Sequence, residues 1–142
     1  MPAMNPYLNF NGNTEEVFNF YKSVFGGEFA IVSRFKEVPA EYRGPESEDN
    51  KIMHISLPIA GGSVLMGSDV PEKMPQAVTG SNVNISLHPA SKEEADKLFK
   101  GLSAGGTVIM PMMDAFWGAY FGMFVDKFGI HWMINFDANH KQ

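Results

Sequence analysis

Two stretches of the chain repeat one pattern of apolar and polar positions. Asn13-Thr14-Glu15-Glu16 and Ser91-Lys92-Glu93-Glu94 each set a capping side chain three positions ahead of a glutamate, the arrangement that opens a helix. The copies lie 78 positions apart, from Asn13 to Ser91. Val17, Phe20, Tyr21, Val24 and Phe25 then fall on one helical face, and Ala95, Leu98, Phe99 and Leu102 repeat that face in the second copy. Gly26-Gly27 and Gly105-Gly106 end the two helices.

A short apolar run precedes each helix, Pro6 to Phe10 and Asn82 to Leu87. Three strand-like runs follow each: Glu28 to Phe35, Lys51 to Ile59 and Ser63 to Ser68, then Thr107 to Met110, Ala119 to Val125 and His131 to Phe136. The pattern predicts an α+β chain of two βαβββ modules forming a cupped mixed sheet with the helices on its outer face. We read residues 1–142 as one domain, with module one over about 1–70, a polar Pro-rich linker over about 70–80 and module two over about 81–137. The loop from Val38 to Asn50, with Pro39, Gly44, Pro45 and a run of acids, reads as a solvated connection or a substrate lid.

Alternation along the strands separates two faces. Met53, Ile55, Leu57 and Ile59 share one, with Ile52, His54 and Ser56 opposite. Val83, Ile85 and Leu87 oppose Asn82, Asn84, Ser86 and His88, and Trp132, Ile134 and Phe136 oppose His131, Met133 and Asn135. The apolar faces suit the helix stripes. The other faces mix neutral polar groups with methionine and aromatics, where an ordinary solvent-facing sheet carries Lys, Glu and Thr. Buried polar groups need partners, so such a face suits a ligand-lined concavity. The candidate ligand-binding set is His54, Asn84, Ser86, Trp117, Tyr120 and Met133. Trp117 and Tyr120 come from the dense cluster Phe116-Trp117-Gly118 with Tyr120 and Phe121, and offer polar tips. Met110, Met112, Met113, Met123 and Met133 add adaptable apolar surface, which suits a small apolar or aromatic ligand. Arg34 and Arg43 are the only arginines, so no anion clamp is evident.

Composition narrows the classes further. The chain has 142 residues, 44% apolar and 19% charged, with a net charge of −5. That balance excludes disorder and offers no basic footprint for nucleic acid or an anionic membrane. No apolar stretch approaches the roughly 20 residues a membrane helix needs. The first residues lack the basic end and apolar core of a signal peptide. The absence of cysteine excludes disulfides, thiolate metal sites and a cysteine nucleophile, and suits a cytoplasmic protein.

The two modules resemble the vicinal oxygen chelate superfamily, which includes glyoxalase I, extradiol dioxygenases and the bleomycin and fosfomycin resistance proteins. Pro6 to Phe10, Phe20 to Gly27, Lys51 to His54, Val64 to Met66 and Ser68-Asp69 resemble its PhnB-like branch. So do Met110-Pro111, Phe116 to Gly118, Phe121-Gly122, Asp126 to Gly129 and Trp132 to Asn135. The resemblance implies a glyoxalase-like fold and a homodimer, since relatives often build the site where modules of two chains meet.

PhnB-like proteins are also named after a demethylubiquinone methyltransferase. A nucleotide-type cofactor would call for a glycine-rich turn from a parallel strand into a helix, whereas the paired glycines here follow helices. Superfamily enzymes commonly hold a divalent ion with four side chains. Those positions fall near Pro6, Met66 or Gly67, Asn84 and Met133, none a His or carboxylate. The expectation is therefore a small-molecule-binding protein with no cofactor, no divalent metal and no assigned catalytic residue. The rivals are a metal-dependent lyase, isomerase or dioxygenase with a site relocated to His54 and His131, and a protein-interaction module. His88 reads as structural and His140 as part of the tail. Asp69, Asp114 and Asp126 fall near turns, where aspartate caps backbone amides.

Overall fold

The computed structural model describes residues 2–138, so His140 lies outside the described residues. The chain divides into two compact units, Met1–Val78 and Thr79–Gln142. The first holds β1 (Tyr7–Phe10), α1 (Thr14–Phe25), β2 (Ile31–Arg34), β3 (Ile52–Pro58) and β4 (Val64–Asp69). The second holds β5 (Ile85–Leu87), α2 (Lys92–Ser103), β6 (Thr107–Asp114), β7 (Tyr120–Val125) and β8 (His131–Phe136). Each unit is a βαβββ module with its own four-stranded mixed sheet, ordered β1-β4-β3-β2 and β5-β8-β7-β6. Strands β1 and β4 run parallel, as do β5 and β8, and the other pairs are antiparallel.

Each sheet buries one face under its own helix. In the first unit Val17, Phe18 and Tyr21 of α1 are buried, as are Ile52, Ile55, Leu57 and Leu65 of the sheet. Phe18 sits where β4 carries no side chain: a Cβ on Gly67 would stand 2.7 Å from its ring. In the second unit Ala95 and Leu102 are buried with Phe124, Trp132 and Ile134. Phe99 meets Phe124 edge to face at 5.0 Å, in the space that Gly122 leaves open.

Four expectations are corrected. Met53 does not join Ile55 and Leu57. The ladder pairs Ser33 with His54 but Arg34 with Ile52, so Met53 is an extra, bulged residue. The bulge reverses the alternation, leaving Ile52 at 0% exposure and Met53 at 37%. Asn13 makes no capping bond; instead Asp69 accepts from Gly12 N and Thr14 N, both at 3.0 Å. Strand β6 runs on through Pro111 to Asp114. It is an edge strand with two register shifts, where a residue without an N–H is tolerated. Strand β5 is shorter than the apolar run suggested, and Val83 is exposed ahead of it. The second helix start behaves as expected: Ser91 Oγ accepts from Glu94 N at 3.1 Å, and the Glu94 carboxylate reaches back to Ala90 N at 2.8 Å.

The loop between β2 and β3 is made of three short 3-10 turns, Phe35–Glu37, Ala40–Tyr42 and Glu46–Glu48. Its end is fastened by the buried Glu48, whose Oε1 accepts from Glu72 N at 2.8 Å. The Lys51 ammonium bridges Glu48 and Glu72. The Lys51 contact, then the Glu72 amide, hold the Glu48 carboxyl below its ordinary value of 4.5. A lowered folded-state pKa contributes stability that is full above the unfolded value and is lost as pH falls through the folded one. Glu48→Gln should therefore melt earlier than wild type at pH 6, with the gap closing as pH falls below about 4.5. Thermal melts across that range check this, and a pH-independent gap would contradict it.

Candidate functional site

The faces turned away from the helices carry most of the candidate residues. In the first unit, cross-strand pairing sets Tyr7, Met66, Ser56 and Ile31 in one row. Asn9 is paired with Ser68, and His54 with Ser33, on the same face. His54 Nδ1 lies 3.3 Å from the Tyr7 hydroxyl, with the two rings stacked at 5.7 Å. Ser68 Oγ donates to Asn9 Oδ1 at 3.3 Å. Tyr7 is a partner of His54 that the sequence pattern does not single out, because it lies 47 positions away and two strands over.

The second unit presents a larger face of three rows. Its middle row runs Ser86, Met133, Met123, Met110 across all four strands. One flanking row pairs Phe121 with Asn135 and Met113, and the other pairs Val125 with His131 and Thr107. Asn84, one residue before Ile85, stands beside His131 by continuation of the β5–β8 register. The β5–β8 side is thus neutral and hydrogen-bonding, and the β7–β6 side is thioether and aromatic. Met110 is 38% exposed and Met113 48%.

Trp117 caps the apolar side. A tight turn closed by Ala115 N to Ala119 O and Gly118 N to Ala115 O carries Phe116 and Trp117 at its tip. Gly118 takes a φ of +95°, which favours glycine. The Trp117 ring meets Phe121 at 5.3 Å and is 49% exposed.

Asn84, Ser86 and Met133 thus share one face of the second sheet, with Trp117 at its border, while His54 belongs to the first unit. Tyr120 leaves the set. It pairs with Phe136 on the side facing α2, where its hydroxyl donates to Asp96 Oδ1 at 2.6 Å and Lys92 lies 4.9 Å over its ring. The Asp96 bond raises the Tyr120 pKa. Neighbours in sequence point to opposite sides of a strand, so Tyr120 and Phe121 cannot line one face.

Polar demand on the second face is partly unmet. Ser86 Oγ and His88 Nε2 are 3.3 Å apart and satisfy each other. Among the described residues, Asn84 Oδ1 and Asn135 Oδ1 are buried without a hydrogen-bond partner.

The donor chemistry does not fit a hard divalent ion. Among the described residues no three of His, Asp and Glu come together as a metal-holding group. The positions that the resemblance implies, near Pro6, Met66 or Gly67, Asn84 and Met133, offer at most a thioether, a carboxamide and a second thioether, and Gly67 packs against Phe18. The helix N-termini are occupied as well. The turn into α1 closes on the buried Asp69 carboxylate, and α2 on Ser91 and Glu94. A cofactor phosphate or carboxylate would meet a like charge there.

A family model described as 3-demethylubiquinone-9 3-methyltransferase matches residues 2–135. The crystal structure of PA1353 from Pseudomonas aeruginosa is 39% identical, with a TM-score of 0.84 over 96% of this chain and 98% of that one. The putative 3-demethylubiquinone-9 3-methyltransferase, PhnB protein, from Bacillus cereus is 25% identical, with a TM-score of 0.75 over 95% and 99%. A glyoxalase/bleomycin resistance protein/dioxygenase family enzyme from Burkholderia phytofirmans PsJN shares the fold, at 19% identity and a TM-score of 0.58 over 94% and 98%.

Proposed function

We propose a function from one premise: the chain belongs to the 3-demethylubiquinone-9 3-methyltransferase family, the PhnB-like branch of the glyoxalase/bleomycin resistance/dioxygenase superfamily. In our reading it is a small-molecule-binding protein that holds an apolar or aromatic ligand on the open face of its second sheet, with no resident divalent ion. The observation that carries this is the make-up of that face, where neutral hydrogen-bonding groups on β5 and β8 meet methionines and aromatics on β7 and β6. Such a surface binds by shape and a few hydrogen bonds, which sequestration needs and which asks nothing of a Lewis acid. Methyl transfer is not carried over from the family's name, because no glycine-rich turn leads from β1 into α1 or from β5 into α2.

The protein works, in this proposal, as a homodimer in the cytoplasm. The edge strands support association: Ile31 and Val32 on β2, and Val108 and Ile109 on β6, are all exposed. Among the described residues no helix is long and apolar enough to cross a membrane.

Native mass spectrometry of protein purified without chelators tests the whole reading. The expected result is a dimer free of transition metal that carries small-molecule mass under gentle conditions and sheds it on activation. One tightly held transition metal per chain, lost in His54→Ala, would overturn the proposal in favour of a metal-dependent lyase, isomerase or dioxygenase. Retention of a second protein in place of a small molecule would point to an interaction module.

A further inference from the structure

The turn between β1 and α1 holds a chemically reactive pair. Asn11 is the one asparagine of the sequence that glycine follows. Gly12 takes a φ of +108°, which favours glycine, so the turn itself calls for the residue that makes the pair reactive. With no side chain on residue 12, its backbone nitrogen can approach the Asn11 side chain unhindered. In such a pair the Gly12 nitrogen gives up its proton and attacks Asn11 Cγ, and the Cγ–Nδ2 bond breaks as ammonia leaves. Water then opens the five-membered imide at either carbonyl, which yields aspartate or isoaspartate. Asn11 and Gly12 are exposed, so water reaches them.

The fold engages both reacting groups elsewhere. Gly12 N donates to Asp69 Oδ1 at 3.0 Å, and an amide nitrogen that lost its proton there would face a carboxylate. The Asn11 carboxamide is clasped at both of its polar atoms by one residue. Its Nδ2 donates to Ala77 O at 3.0 Å, and its Oδ1 accepts from Ala77 N at 2.9 Å. Attack needs both sets of bonds to open together. The same clasp ties the end of the segment from Pro71 to Val78 to the end of β1, while Glu72 N, held by Glu48 Oε1, fixes its start. We propose that Asn11 is a deamidation site that the folded turn holds in check, and that its product loosens the segment from Pro71 to Val78. In the aspartate product a carboxylate oxygen stands where Nδ2 donated to Ala77 O, so acceptor faces acceptor. Isoaspartate also adds a methylene to the backbone between β1 and α1, which shifts Gly12 N and Thr14 N relative to Asp69. The reaction takes water as its one co-reactant and needs no ligand on either sheet.

Ageing the full chain in mildly alkaline buffer, folded and in urea, tests this, with residue 11 followed by peptide mapping and mass spectrometry. The expected result is deamidation at least about tenfold slower in the folded chain, because reaction there waits on local opening. Asp69→Asn keeps an acceptor for Gly12 N but removes the charge that opposes proton loss, and should react at least about threefold faster than wild type. Leu57→Ala weakens the buried core of the same unit and leaves the bonds of the turn in place, so it should age close to the wild-type rate. Asn11→Asp copies one product directly. Trypsin should cut it after Lys73, inside the loosened segment, at least about threefold faster than wild type. Equal rates in the folded and urea-unfolded chains would overturn the proposal, and that comparison stands even if a variant fails to fold. Equal acceleration by Asp69→Asn and Leu57→Ala, or unchanged cleavage in Asn11→Asp, would overturn it as well.

Discussion

Asp69→Ala is expected to lower the free energy of unfolding by about 3–5 kcal/mol, the largest loss from any single side chain considered. The Asp69 carboxylate is buried at the end of β4. One oxygen accepts from Gly12 N and Thr14 N at 3.0 Å each, and the other from Ile52 N at 2.8 Å. It therefore ties together the turn after β1, the first turn of α1 and the start of β3. Alanine leaves three donors without an acceptor, and the two in buried bonds, Thr14 N and Ile52 N, each carry a desolvation cost. Asp69→Asn should lose less. Its oxygen can keep the two bonds at α1, while its amide group faces the Ile52 N–H donor to donor. Urea unfolding of the three proteins checks the order wild type, Asn, Ala. A loss below about 1 kcal/mol in the alanine variant would show that water or a shifted backbone replaces the carboxylate.

Gly106→Ala is expected to cost about 3 kcal/mol or more, by a different mechanism. A Cβ there would stand 2.1 Å from the Val125 carbonyl oxygen, 2.9 Å from the Asp126 carbonyl carbon and 3.0 Å from its Cα. All three are backbone atoms where β7 ends, so no rotamer change relieves the clash. Gly106 N also donates to Ser103 O at 2.9 Å, which holds the turn after α2 against that strand end. Gly44→Ala is the matched control, because a Cβ at Gly44 meets nothing within 4 Å and its φ is not in the left-handed region. It should be neutral or stabilising by up to about 1 kcal/mol, since it only restricts the unfolded chain. Similar melting temperatures for the two variants would refute the steric argument.

Much of the architecture is legible in local pattern. The repeated cap, stripe and glycine pair places both helices, and period-two alternation places most strands, because these signals come from neighbouring residues. What stays hidden depends on partners distant in sequence. Asn13 looks like a helix cap, yet Asp69, more than 50 positions on, does that work. The bulge at Met53 depends on how β2 pairs with β3 and leaves no local mark. The strand-like pattern ends at Met110, but the edge strand runs on through Pro111. The candidate site is legible to the same extent. Asn84, Ser86 and Met133 follow from alternation, Tyr120 is misplaced by proximity to Phe121, and Tyr7 meets His54 only through the strand order.

The assignment of helix-covered residues to one side of each sheet and solvent- or ligand-facing residues to the other has an evolutionary consequence. Substitutions at Met110, Met113 or Met123 change the open face while Phe124, Trp132 and Ile134 keep the α2 side intact. A lineage can therefore remake one side of this scaffold by point changes, with little selective penalty in folding.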